Sequence, residues 1–307
     1  MIMKYTKTYT SSMHTHVRYH VYEPKVVLRI KGIVQIHHGI GEHADRYDHF
    51  ASFLLNQGFV VVVSDFAGHG KSLIDFEQGF FGTENGPQNL VKDMHRLQNI
   101  IRRTYPDVPY FMLGVDLGSV LIRKYATEYG DFIEGMILLG TPPVVEHSYL
   151  KKGYLKLLRA WRGPLYKATH YFKSYHESKN RKVHQSSSDV DWLTSDEDEI
   201  KKFLSDPMTH FSYTVQGYRD IVSVMQEVNS DESIAKIPDY LSVYIGYGEL
   251  DPMCRKMKVL LEKYKKIQLR DVTVDVFEGM RHAILFEKSK KEVYLHILNW
   301  LNERTYL

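Results

Sequence analysis

Four short and nearly unbroken apolar runs, spaced by helix-length segments, restrict the fold of this chain more than any other feature. They are Gly32-Ile-Val-Gln-Ile36, Phe59-Val-Val-Val-Val63, Tyr110-Phe-Met-Leu113 and Met136-Ile-Leu-Leu139. A strand that is apolar on both faces has to be covered on both, as in parallel sheets flanked by helices. Leu90, Met94, Leu97 and Ile101 recur at helical spacing, as do Leu117, Leu121 and Tyr125 before Gly130. Asp45 is in place to N-cap a helix running through Phe50, Phe53, Leu54 and Leu55, with Gly58 just past its end. Upstream, Val17, Tyr19 and Val21 alternate with polar neighbours as a half-exposed strand, which residues 5–10 can pair with. Late in the chain the spacing predicts strands over 241–245 and 272–277 and helices over 257–265 and 293–301. This alternation predicts one mainly parallel, eight-stranded sheet with helices on both faces.

The segment 142–238 breaks the pattern. It is helix-rich and too long for a plain connection, so it reads as an inserted helical cap. The expected organisation is a core over 1–141 and 239–307 with the cap between them. Within the cap, 150–184 holds seven Lys and three Arg against one acid, Glu177, a net +9 in a chain whose total is only +3. Tyr154, Trp161, Tyr166, Tyr171, Phe172 and Tyr175 are interleaved with those cations. One reading is a solvated helix face with its rings packed inward. The other is a surface that rests on an anionic membrane, rings inserted and cations at the headgroups. The balance of 40 basic and 37 acidic residues, with no recognised binding motif, argues against a nucleic-acid partner. One cysteine, Cys254, excludes an internal disulfide. No run reaches the roughly 18 apolar residues of a membrane span, so the expected location is the cytoplasm, peripheral to a membrane if the cap binds one.

The chemistry concentrates at four places. Leu113-Gly-Val-Asp-Leu-Gly-Ser119 joins an apolar run to a helix, and glycines flanking Asp116 two residues away on each side permit a tight strand-to-helix turn. Such a turn lifts the central side chain above the sheet at a helix N-terminus, where negative charge is favoured. His37-His-Gly-Ile-Gly-Glu-His43 follows another buried run, and a loop of this kind can aim the Ile40 N–H at the same point. The Leu117 N–H would complete an oxyanion hole. The histidines lack a recognised metal-ligand spacing, and no metal is expected. Finally, Asp251 follows one late strand and His282 the other, with Glu249 as a second candidate acid. An acid and then a histidine, both after the turn, suit a base that is oriented by a carboxylate.

With these residues, the whole chain resembles α/β-hydrolases of the monoglyceride lipase, lysophospholipase and serine-aminopeptidase-like group, in a form like that of Gram-positive bacteria. The resemblance rests on His38-Gly39, Gly41-Glu-His43, Arg46-Tyr47, Asp65, Gly68-His-Gly-Lys-Ser72, Asn85-Gly86, Leu90-Val91, Asp93, the 114–118 turn, Gly140-Thr141, Trp192-Leu193, Asp206-Pro207, Asp251-Pro252 and Arg281-His282. It implies the α/β-hydrolase fold and a carboxylic ester hydrolase acting on monoacylglycerol- or lysophospholipid-like amphiphiles without metal or organic cofactor. It also implies a triad at Asp116, Asp251 and His282, with the oxyanion N–H groups of Ile40 and Leu117. Position 116 departs from the family, which carries serine there. A carboxylate attacking an ester gives a high-energy mixed anhydride, so weak or absent esterase activity is expected. Two other readings stay open: a hydrolase whose Asp attacks saturated carbon, of the epoxide or haloalkane kind, or a non-catalytic ligand binder. Leu117 and Gly41 stand where haloalkane dehalogenases and epoxide hydrolases usually carry tryptophan and proline.

Overall fold

The computed structural model describes residues 2–24, 29–75, 77–144, 148–181, 183 and 186–305. Two strands open the chain, β1 (Ile2–Thr10) and β2 (His16–Pro24). Alternating units follow: β3 (Gly32–His37), α1 (Asp48–Asn56), β4 (Phe59–Ser64), α2 (Gly86–Arg102), β5 (Tyr110–Val115), α3 (Leu117–Tyr129) and β6 (Gly135–Leu139). Five helices come next: α4 (Ser148–Arg162), α5 (Thr169–Asn180), α6 (Glu197–Ser205), α7 (Val215–Val228) and α8 (Asp231–Ile234). The chain then returns to the sheet with β7 (Ser242–Gly248), α9 (Met257–Lys266), β8 (Val272–Phe277) and α10 (Lys290–Asn302).

The strands form one eight-stranded sheet in the order β1-β2-β4-β3-β5-β6-β7-β8. β1 and β2 pair antiparallel, and so do β2 and β4; every other pairing is parallel. Strand parity assigns the two faces. Ile33, Val60, Val62 and Met112 point to the side covered by α2, α3 and α9, in one core with Leu97, Leu121 and Leu260. Val34, Val61, Val63 and Leu113 point to the other side, where Phe50 and Leu54 of α1 and Ile297 and Leu301 of α10 meet them. This is the α/β-hydrolase architecture, in which residues at the carboxyl ends of β3, β5, β7 and β8 open on one rim.

One local expectation is corrected. Asp45 does not cap a helix; it lies within a 3₁₀ turn over Ala44–Tyr47, and α1 begins at Asp48 with no side-chain cap. Its carboxylate instead lies 3.0 Å from an Arg18 guanidinium nitrogen and 2.7 Å from His20 Nε2 on β2. These two charge-assisted contacts outweigh one capping bond, and they hold its carboxyl well below the usual carboxylate range.

The aromatic residues of the basic stretch divide. Tyr171, Phe172 and Tyr175 pack inward, whereas Trp161 is 77% exposed and Tyr154 45%. Leu150 and Leu157 are each 73% exposed. Residues 150, 154, 157 and 161 share one side of α4, opposite Leu155, which is fully buried. Among the described residues no helix is long and apolar enough to cross a membrane.

Candidate active site

The turn between β5 and α3 carries Asp116 at φ 47° and ψ −111°. A side chain adopts that conformation only where its surroundings enforce it, at a cost of roughly 1–3 kcal/mol. The flanking glycines are required by space. A Cβ on Gly114 would lie 2.4 Å from the Gly118 carbonyl carbon, and one on Gly118 would lie 2.3 Å from the His37 carbonyl oxygen. The Asp116 N–H donates to the Leu139 carbonyl at 2.9 Å, which ties the turn to β6. Ser119 donates its hydroxyl to the Asp116 carbonyl oxygen at 2.5 Å, so it is spent within the helix and does not enter the site.

The loop after β3 passes directly over this point. The Ile40 N–H donates to Asp116 Oδ2 at 3.2 Å. The Leu117 N–H belongs to the first turn of α3, whose amides have no partner inside the helix. The next loop amide, Gly41 N–H, donates to the Tyr213 hydroxyl at 2.7 Å, and His69 Nε2 bonds the same hydroxyl. The other histidines here are engaged separately. His38 Nδ1–H donates to the Gly39 carbonyl and its Nε2 accepts from the Phe66 N–H, while His43 Nε2 lies 2.8 Å from Asp206. Burial holds the His38 and His69 imidazoles below their ordinary value, as neutral hydrogen-bonding parts of the loop.

Asp251 and His282 reach the same place from the ends of β7 and β8. His282 Nδ1–H donates to Asp251 Oδ2 at 2.8 Å, and His282 Nε2 lies 4.0 Å from Asp116 Oδ2. Asp251 is held in turn by the Met253 N–H at 2.7 Å and the Cys254 thiol at 3.2 Å. Glu249 is exposed and accepts from the Gly279 N–H, away from His282. The five residues singled out in the sequence therefore converge. Asp116, Asp251 and His282 are each at most 3% exposed, so their charges act in a dry, weakly screened environment.

Burial pushes the Asp116 carboxyl up, against the His282 charge and the Ile40 N–H, which favour its anion. Burial pushes His282 down, but the charge and hydrogen bond of Asp251 and the charge of Asp116 outweigh it and raise the imidazole to about 9. Both groups are thus shifted towards holding a proton, while the charge of each favours the ionised form of the other. Asp116 Oδ1 and His282 Nε2 have no protein hydrogen-bond partner although both are buried.

Sequence reasoning missed several contributors. Tyr213 holds the loop amide next to Ile40, and Cys254 steadies Asp251. The Trp192 ring lies 4.9 Å from the His282 ring at a tilt of 41°, and Tyr175 packs edge-on against Trp192 at 6.0 Å. In the sequence Trp192 stands out only as part of a motif and Tyr175 only as part of a composition, and no periodicity relates either to a histidine far along the chain. A cavity of about 580 Å³ lies elsewhere, between α4, α7 and α9, bordered by Tyr149, Lys152, Glu227 and Lys263. It includes none of the converging residues.

The family described as Hydrolase_4, serine aminopeptidase S33, matches residues 29–289. The mouse protein "Monoglyceride lipase" is 26% identical over 279 residues, 89% of this chain and 83% of its own. The "Monoacylglycerol lipase" of Mycolicibacterium smegmatis is 24% identical over 277 residues, covering 88% of each chain. Among solved structures, a highly thermostable carboxyl esterase from Bacillus coagulans superposes with a TM-score of 0.91 at 27% identity, over 99% of both chains. A strained turn lifting its side chain over the sheet, a loop amide aimed at it and an acid–histidine pair from the last two strands agree with that match: the chain belongs to the serine aminopeptidase S33 family of α/β-hydrolases.

Proposed function

We propose that this protein has the scaffold of a carboxylic ester hydrolase for monoacylglycerol- or lysophospholipid-like amphiphiles, with Asp116 at the nucleophile position and hence little esterase activity. In this reading His282 is the base, Asp251 orients it, and the Ile40 and Leu117 N–H groups form the oxyanion hole. The observation that carries it is the Ile40 N–H bond to Asp116 Oδ2 on a strained turn 4.0 Å from His282. Where serine would send only one oxygen towards substrate, the aspartate carboxylate fills the oxyanion donor itself. It also holds His282 protonated, and an imidazolium cannot accept a proton from an attacking water. The lipase and esterase relatives support the substrate class, and the Bacillus coagulans likeness supports assignment to a Gram-positive form.

The segment 142–238 is the cap in this reading, with core over 1–141 and 239–307, and the protein is cytoplasmic, needing no metal or cofactor. The outward stripe of Leu150, Tyr154, Leu157 and Trp161, among five cations and no acid on α4, supports peripheral attachment to an anionic membrane. The test of the catalytic part is Asp116→Ser, assayed on short p-nitrophenyl esters and on monoacylglycerols. The expected result is a gain of at least about a thousandfold over wild type, the scale on which triad members act. A serine variant as inert as wild type, with unchanged thermal unfolding, favours the non-catalytic binder instead.

A further inference from the structure

We propose that Tyr213 is a positioning residue of the site: its hydroxyl, reaching in from the segment between β6 and β7, fixes the direction of the Ile40 N–H. The role of that amide as an oxyanion donor rests on the esterase-scaffold reading, whereas its placement by Tyr213 stands without it. Glycines at 39 and 41 leave the loop after β3 with few side chains to pin it, and Gly41 sits at φ 61°, a conformation that favours glycine. Such a loop keeps one amide on target only when its rigid peptide planes are held from outside.

Three successive planes are held in this way, each by one bond. The Gly39 carbonyl, in the plane of the Ile40 N–H itself, accepts from His38 Nδ1–H at 2.8 Å. The Gly41 N–H, in the next plane, donates to the Tyr213 hydroxyl at 2.7 Å. The Gly41 carbonyl, in the third, accepts from the His210 N–H at 3.2 Å. Only the first of these bonds comes from within the loop. The other two come from residues 210 and 213, so the sheet alone does not aim the Ile40 amide at Asp116.

Tyr213 is itself firmly seated. It is 1% exposed, and its ring packs against those of His69, Phe81 and Phe211 with centroids 5.3, 5.8 and 5.2 Å away. Its carbonyl accepts from the Ala168 N–H at 3.1 Å, and the N–H of the next residue, Thr214, donates to the Gly79 carbonyl at 3.2 Å. A Cβ on Gly79 would lie 2.6 Å from Tyr213 Cγ, so that glycine makes room for the ring. The hydroxyl is oriented as well. His69 Nε2 bonds it, and burial keeps this imidazole neutral and able to accept the phenolic proton, which leaves the oxygen to accept from Gly41. Taking the hydroxyl away strands the N–H of a buried residue, and the 40–41 peptide has to turn to find another partner.

The test follows amide hydrogen exchange by NMR in wild type and Tyr213→Phe, which keeps the ring and removes the hydroxyl. The Ile40 amide should exchange about tenfold faster in the variant. The Ala44 amide, held by Asp65 Oδ1 at 2.8 Å, and the amides of β5 should keep their rates. Equal acceleration of all of them would mean a general loss of stability, and an unchanged Ile40 rate would mean a loop that holds itself; either result overturns the proposal. If Tyr213→Phe does not fold, fluorotyrosine at 213 keeps the ring and weakens the oxygen as an acceptor. Ile40 should then exchange about twofold faster, and an unchanged rate again overturns the proposal. A kinetic arm uses the Asp116→Ser background. Adding Tyr213→Phe should lower kcat about tenfold or more with KM nearly unchanged, because an oxyanion donor acts in the transition state. An unchanged kcat overturns the proposal whether or not KM rises. An Asp116→Ser protein without activity refutes the esterase scaffold alone, since the exchange rates still decide what places Ile40.

Discussion

Asp116 presents two oxygens in unlike surroundings: Oδ2 accepts from the Ile40 N–H, whereas Oδ1 is buried without a protein partner. The backbone that presents it tolerates nothing larger than glycine on either side. Gly118 illustrates this most sharply, since an added Cβ would fall 2.3 Å from the His37 carbonyl oxygen and 2.8 Å from that of His38. Both obstacles are backbone atoms of β3 and its loop, so neither can swing aside. Gly118→Ala should therefore cost about 3 kcal/mol or more, the upper range for overpacking, read as a lower urea midpoint with an unchanged slope. Gly153→Ala, where nothing lies within 4 Å of the added carbon, is the matched control and should be neutral or slightly stabilising.

Among the elements, α4 is the one whose exposure its residues do not favour. Leu157 and Trp161 are more than 70% exposed in a helix that meets the core through Leu155 and Leu158. Arg162 stacks over Trp161 and Tyr166, keeping its charge beside the apolar stripe. A helix of this kind gains by burying its stripe at a lipid interface, and each cation near an anionic surface adds about 1 kcal/mol. Wild type should therefore float with vesicles rich in phosphatidylserine at low salt and lose most of that binding at high salt. Lys152→Gln with Lys156→Gln should weaken vesicle affinity by about thirtyfold. Leu157→Ser with Trp161→Ser should abolish it at any salt concentration while leaving thermal unfolding unchanged. If both double variants float like wild type, α4 is only a covering helix.

For the molecule as a whole, the helices between β6 and β7 are joined to the core by packing of α7 on α2 and α3, and one ionisable group is trapped in that joint. Asp220 Oδ1 accepts from Gln216 Nε2 at 2.9 Å, while Oδ2 is buried without a partner where a Cβ on Gly86 would come within 2.6 Å of it. Burial raises its carboxyl to about 7, against Gln216 and the charges of Arg219 and Arg159. Because the folded value lies above the unfolded one, its contribution is complete below about pH 4 and is lost as pH rises through 7. Between those limits the group lowers stability by about 1.4 kcal/mol per pH unit. Asp220→Asn should lack that slope, so its stability relative to wild type should rise by about 1.4 kcal/mol per pH unit across this range, leaving it the more stable form at pH 8. Parallel stability curves for the two proteins from pH 4 to 8 would show that the carboxyl is not trapped as described.

How far such features could be read in advance depends on the range of the forces involved. The apolar runs, their helical neighbours and the glycines around Asp116 are local in sequence, because periodicity and steric freedom act over a few residues. They were enough to specify the sheet, its two covered faces and the turn at Asp116, whereas Asp251 and His282, far along the chain, were legible from their order after that turn and from the family resemblance. Tertiary structure alone decided the rest. Asp45 exchanged a capping role for Arg18 and His20 on a strand that precedes it, and Tyr213 reached back to the Gly41 amide. The two oxygens of Asp116 became unlike only when the Ile40 loop closed over one of them. Each of these depends on charges and hydrogen-bond donors brought together from far along the chain, with strengths set by burial that no short window of residues encodes.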